Sequence, residues 1–342
     1  MRRYSPIIII FLLTIPAVTG TLSFYALDST ADEQELVLYS GRSESLVGPL
    51  VEQFEERHGI KVRVRYGATT QLSIALHEEG RRSPADIFWA QDRGALDAMD
   101  SSGLLSTLSE SIQALRPVSF QPYVGNWIAT SGRARVLAYS PERVDKENLP
   151  VSVFDLTDAA WQGRVGWAPT NASFQSFVTS MRTQYGDAKT REWLSGMKSN
   201  QAQSYGSNVP ILQGIASGEI DLGITNHYYL YRLKDADSEF PVEQTTFQKG
   251  DIGNLVNVAG IGILQSSSKQ DNAEKFIRFV LSNESQVFFT EEIKEYPVME
   301  GMAPASGLMD QESLMAYAPE LHLDKQDDLQ GTLQLMMEVG IL

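Results

Sequence analysis

From Leu36 onward the chain alternates short apolar runs with amphipathic segments of helical period, a pattern that only layers of helices over a sheet accommodate well. Strands are expected at 36–39, 60–66, 85–89, 135–139, 164–167, 220–225 and 256–264. Helices are expected at 44–58, closed by Gly59, and at 71–79, 93–101, 173–185, 190–197, 209–217, 271–281 and 329–337. Connections of this kind favour parallel strands. At 342 residues the chain exceeds what one hydrophobic core usually serves, so two lobes are expected, each with its own core. The strand at 256–264 and the helix after it would return the chain to the first lobe. That divides the sequence into 35–134 with 258–307, and 135–257 with 308–342. No internal repeat or low-complexity tract interrupts it.

The first 34 residues stand apart. Arg2 and Arg3 precede an uncharged run from Tyr4 to Leu27, the basic-then-apolar order of an export signal. At about 24 residues the run is long enough to span a bilayer, so an uncleaved N-terminal anchor is the alternative to a cleaved signal peptide. Either outcome leaves the N-terminal charges inside and the body outside the cytoplasm, which means the periplasm. Cysteine is absent, which excludes disulfide staples, thiolate metal sites and a cysteine nucleophile. A formal charge of −15 makes nucleic acid and anionic membrane surfaces poor partners for the exported body.

Two motifs could carry chemistry. Gly41-Arg42-Ser43-Glu44-Ser45 follows a strand and opens a helix, the setting of a serine nucleophile elbow, although Ser45 stands where that elbow has glycine. A turn with Ser43 or Ser45 capping the helix is the competing reading, and Arg42 could pair with Glu44. The second motif is Asn226-His227-Tyr228-Tyr229 at a strand end. Adjacent residues share a ligand only in a turn or a helix's first turn, where unpaired backbone N–H groups favour phenolate. Thr170-Asn171-Ala172-Ser173 gathers donors between a strand and a helix, where an anion could bind or ordinary capping could suffice. The histidines, His58, His77, His227 and His322, lack zinc-site spacing. His227, beside the tyrosines, could tune a site there, but is rather expected to face solvent or cap its turn.

Taken together, Tyr39-Ser40-Gly41-Arg42, Ser83-Pro84-Ala85, Gly132-Arg133-Ala134-Arg135-Val136 with Tyr139, Pro169-Thr170, Gly218-Glu219-Ile220-Asp221, Asn226-His227-Tyr228-Tyr229 and Glu295-Tyr296-Pro297 resemble, in order, the ferric-ion-binding proteins of bacterial ABC importers. The resemblance covers nearly all of the exported part and places the chain among extracellular solute-binding proteins. It implies the two-lobed α/β periplasmic-binding-protein fold, each lobe a mixed, mostly parallel sheet flanked by helices, joined by a two-strand hinge.

It also implies a site. The family's tandem tyrosines match Tyr228 and Tyr229, and a third tyrosine ligand matches Tyr139. Two family positions differ: Ser43 stands where some relatives have histidine, and Gln91 where they have glutamate. Phenolates suit ferric iron, a hard cation, and leave coordination positions for a small anion such as carbonate, which Arg42 could hold. Ser43, Gln91, Asn171, Ser173 and Asn208 are expected in the cleft as anion-binding or supporting residues. The function implied is Fe(III) capture and delivery by a monomer to an ABC permease, without catalysis. An oxyanion or organophosphate cargo in the same fold is the alternative, and a serine hydrolase acting through Ser43 a distant one.

Overall fold

The computed structural model describes residues 35–116, 125–320 and 328–342; the export signal or anchor expected at 1–34 lies outside these residues, as does His322. The strands are β1 (Leu36–Ser40), β2 (Val62–Tyr66), β3 (Ile87–Ala90), β4 (Trp127–Tyr139), β5 (Val165–Trp167), β6 (Gln203–Ser204), β7 (Leu222–Asn226), β8 (Glu243–Thr245) and β9 (Val256–Ile263). The main helices are α1 (Glu44–His58), α2 (Thr69–Glu79), α3 (Arg93–Ser101), α4 (Ala172–Ser199), α5 (Asn208–Ser217), α6 (Tyr228–Ala236), α7 (Gln270–Val280), α8 (Asn283–Glu291) and α9 (Leu329–Val339). Among the described residues no helix is long and apolar enough to cross a membrane.

The strands join in the order β2-β1-β3-β9-β4-β7-β5-β6, with β8 added on β4. Parallel pairing is confined to the two flanks, β2-β1-β3 and β7-β5-β6. The centre is antiparallel, through β3-β9, β9-β4 and β4-β7, so the sheet is mixed and not mostly parallel as expected. The reason is the length of β4. It runs for 13 residues, all buried, and pairs with β9 through Ala134 and with β7 from Arg135. The sequence showed only its last five residues as a strand, because Ser131 and Arg133 interrupt the apolar signal before them.

Each flank carries its own core. One gathers Leu38, Phe54, Trp89, Trp127, Ile261, Phe276 and Phe289, and the other Trp167, Phe174, Phe177, Trp193, Leu222 and Met336. Helix α1 shows how local sequence sets these elements. Leu46, Val47, Leu50, Val51 and Phe54 make its buried stripe, and Gly59 ends it at φ 65, where the absence of a Cβ permits the left-handed turn. The helices expected at 173–185 and 190–197 are both present, running on within α4 but separated by a kink at Gly186, whose φ of 81 and ψ of 164 are not helical. Helix α9 docks on it, with a 2.8 Å bond between the Thr179 and Thr332 hydroxyls.

Candidate functional site

Strand β7 hands over to α6 at His227, and the junction is pinned from several sides. The Asn226 N–H donates to Asn208 Oδ1 (3.1 Å), and the His227 N–H to the Ala134 carbonyl (3.0 Å). His227 is buried. Its Nδ1 accepts from the Ala134 N–H (3.1 Å), and its Nε2 lies 2.8 Å from the Lys294 carbonyl, which assigns the proton to Nε2. Burial pushes its pKa down to about 4. The expectation of a solvent-facing or capping His227 is therefore corrected: both ring nitrogens are occupied inside the protein, which only the tertiary fold decides.

The first turn of α6 aligns the two tyrosines, with ring centroids 4.2 Å apart. Tyr228 is fully buried, and its hydroxyl accepts a bond from Gln91 Nε2 (3.3 Å) at the end of β3. Burial raises its pKa well above 10, with Arg133 and Arg42 pulling the other way. Tyr229 packs against core residues of both flanks. It also lines a cavity of about 340 Å³ with Ser43, Ser45, Val209 and Arg232. The pair thus stands where the two flanks face each other.

Behind it lies a buried cluster of charge. Arg42 is 1% exposed and pairs with Glu295 at 2.8 Å, not with Glu44 as considered from the sequence. Its Nε and Nη1 have no hydrogen-bond partner, nor do both terminal nitrogens of Arg133, which is 2% exposed on β4. Donors of this kind are rarely left buried and unpaired, and they are suited to an anion. Two residues along the same face of β4, Arg135 donates to the Ser173 carbonyl (2.8 Å) and stacks over Phe177, and burial pushes its pKa down to about 9.

Asn171, Ser173 and Asn208 converge on this region through Asn226. Asn171 Oδ1 accepts from the Ser173 N–H and hydroxyl, Asn226 Nδ2 donates to Ser173 Oγ (3.1 Å), and Asn208 holds the Asn226 amide. In this arrangement the Asn171 side chain caps α4.

Tyr139 is not brought to the pair. In the β4–β7 register Arg135 faces Asn226 while Tyr139 faces Leu222, four residues farther, or roughly 13 Å at a strand's rise. Tyr139 belongs to the second core and Tyr228 to the first. Ser43 Oγ sits 3.1 Å from Ser45 Oγ, and among the described residues no histidine, lysine or carboxylate is hydrogen-bonded to it. His77 bonds Ser73 and Ser102, His227 bonds Ala134 and Lys294, and the His58 ring packs tilted against Phe54. Among the described residues no three His, Asp or Glu side chains converge on a metal position, so a cation here would rely on the phenols. Sequence reasoning took Asn226 only as a candidate helix cap and assigned no role to Arg133, Arg135 or Glu295. Their only signal was charge inside an otherwise apolar strand and the short match around Glu295.

The family described as bacterial extracellular solute-binding protein matches residues 82–315. The chain is 31% identical to the Fe(3+)-binding periplasmic protein of Serratia marcescens, over 94% of each chain. The iron-bound HitA structure from Pseudomonas aeruginosa superimposes with a TM-score of 0.84 at 33% identity, covering 90% of this chain and 99% of that one. A Trichodesmium protein in complex with iron and citrate ligands is similar at TM-score 0.71 and 27% identity, covering 90% of this chain and 99% of that one.

Proposed function

Because the chain belongs to the bacterial extracellular solute-binding protein family, a family of binding proteins and not of enzymes, we propose that it captures ferric iron in a cleft between two lobes and delivers it to a membrane permease. The observation that carries this reading is the tandem of Tyr228 and Tyr229 at the mouth of a helix between two cores, backed by buried guanidinium groups. The lobes correspond to 35–134 with 258–307, and to 135–257 with 308–342, with β4 and β9 as the crossing strands. The protein works as an exported monomer in the periplasm, and an ABC permease receives the cargo.

Two phenolates supply hard anionic oxygen and leave a ferric ion one positive charge and several open positions. A small anion such as carbonate, or an organic carboxylate, fills them. Arg42 and Arg133 supply the free donors for it, and Gln91 steadies Tyr228. The iron-bound and iron-citrate relatives support the cargo and the need for a second ligand.

Ferric loading of the purified protein tests this directly. A visible tyrosinate-to-iron absorption band is expected, and Tyr228→Phe with Tyr229→Phe should abolish it. The four unpartnered guanidinium nitrogens also suit an oxyanion or organophosphate cargo. Calorimetric binding of phosphate without metal, unchanged in the double variant, would favour that second reading and defeat the first.

A further inference from the structure

We propose that His227 is a positioning residue: it fastens the tyrosine pair to the point where β4 passes from one flank to the other, so that occupancy of the pair and the angle between the lobes change together. The proposal rests on the ferric-binding reading above.

The changeover falls between Ala134, which pairs with Val256 of β9, and Arg135, which pairs with Asn226 of β7. Strand β7 stops at Asn226, and the next residue already has helical angles (φ −54, ψ −42), so its carbonyl turns away from β4. The Ala134 N–H would lose its ladder partner there. The imidazole Nδ1 takes that place at 3.1 Å, while the His227 N–H returns a bond to the Ala134 carbonyl at 3.0 Å. His227 therefore extends the ladder by one residue with its side chain and starts the tyrosine-bearing helix with its backbone.

The other end of the ring grips a third segment. Nε2–H donates to the carbonyl of Lys294, whose φ of 64 is one of two left-handed non-glycine values among the described residues. A lysine holds that conformation only where its surroundings impose it. The residues after it are fastened to the first flank: Glu295 to Arg42, and Tyr296 to Gly132 by a pair of backbone bonds. A neutral imidazole offers one acceptor and one donor at opposite ends of a rigid ring, which is what a strut between Ala134 and Lys294 requires. Bending at 134–135 must therefore either carry Tyr228, the adjacent residue, with it or break one of these bonds.

The test compares wild type, His227→Leu and His227→Gln by X-ray scattering with and without ferric iron, and by the rate of iron release to a competing chelator. Wild type should contract on loading. His227→Leu should keep the tyrosinate band at its wild-type wavelength, lose most of the contraction and release iron about tenfold faster, a coupling of ordinary strength. His227→Gln, which retains a donor and an acceptor, should recover part of both. A folded His227→Leu that contracts and releases iron like wild type overturns the proposal. Should that variant not fold, Lys294→Gly decides, since glycine accepts the left-handed angles and frees the segment: faster release with an unchanged band supports the strut, and an unchanged rate overturns it. A wild type with no band removes the ferric reading and the proposal together, and is distinguished by needing no variant.

Discussion

Arg42 and Glu295, 253 residues apart in sequence, meet at 2.8 Å with both side chains buried, fastening the loop after β1 to the segment that follows α8. The pair is poorly satisfied, since Arg42 Nε and Nη1 and Glu295 Oε1 have no partner. Desolvation of two buried charges can outweigh their attraction, so such a pair is weak evidence of stabilisation. Its electrostatic effect on the Tyr228 phenol is divided: Glu295 opposes ionisation, while Arg42, together with Arg133, favours it.

Removing one partner leaves the other buried and uncompensated. Glu295→Ala should therefore cost about 3–5 kcal/mol in urea denaturation, whereas Arg42→Met combined with Glu295→Leu should cost markedly less. A single substitution costing under about 1 kcal/mol would mean that the charge finds other solvation.

The register of β4 separates the tyrosines. Tyr139→Phe should leave ferric affinity unchanged, because its ring lies in the second core. Tyr228→Phe should lower affinity by roughly hundredfold or more, beyond the 10–100-fold that loss of an outer-shell contact brings. Competition against a chelator measures both, and equal losses would return Tyr139 to the site.

What the sequence made legible was local. The apolar stripe of α1 and Gly59 after it declare a helix and its end without help from the rest of the chain. The position of Tyr228 and Tyr229 at a strand-to-helix junction was likewise readable from the order of residues. Arg133 and Arg135 were not, because alternation with Ala134 and Val136 reads as a half-exposed strand, and their burial depends on neighbours brought from elsewhere, such as Ser173. Tyr139 failed for a related reason: order along the chain carries no register, and only pairing with Leu222 shows how far it lies from the pair. His227 could be placed only once Lys294 was known to approach it.

Gly41 has no positive φ to explain it, but it does have a close neighbour. A Cβ there would fall 2.1 Å from Thr69 Oγ1 and 3.0 Å from the Thr69 Cα. That hydroxyl accepts the Gln91 N–H at 3.1 Å, so relief of the clash displaces the loop carrying Arg42 and the end of β3 together. Gly41→Ala should cost about 1–3 kcal/mol by overpacking, read as a fall in Tm, and should weaken ferric binding as well.

Loading should also release protons. Burial holds the Tyr228 phenol protonated, its pKa well above 10, so a ferric ion must displace that proton and the one on Tyr229 to bind both oxygens. At pH 7 about two protons per iron should appear in a pH-stat measurement, and affinity should fall about a hundredfold for each pH unit of acidification. With iron supplied as a chelate and the chelator's own proton uptake subtracted, release of none would exclude phenolate ligation.

Acid should weaken the fold before it reaches the carboxylates, and His227 is the reason. Its folded pKa is pushed down to about 4 by burial, against about 6.5 in an unfolded chain. Between these values the unfolded state binds the extra proton, so stability rises with pH across the window. The contribution is about 3 kcal/mol, fully present above pH 6.5 and lost as pH falls toward 4. Asp221 behaves differently: burial works against its charge, but Arg143 and Arg164 hold its pKa below the usual value, so its contribution disappears only at lower pH. Urea denaturation from pH 4 to 7 should show the slope in wild type and lose it in His227→Leu. A variant whose stability keeps the wild-type slope would place the titrating group elsewhere.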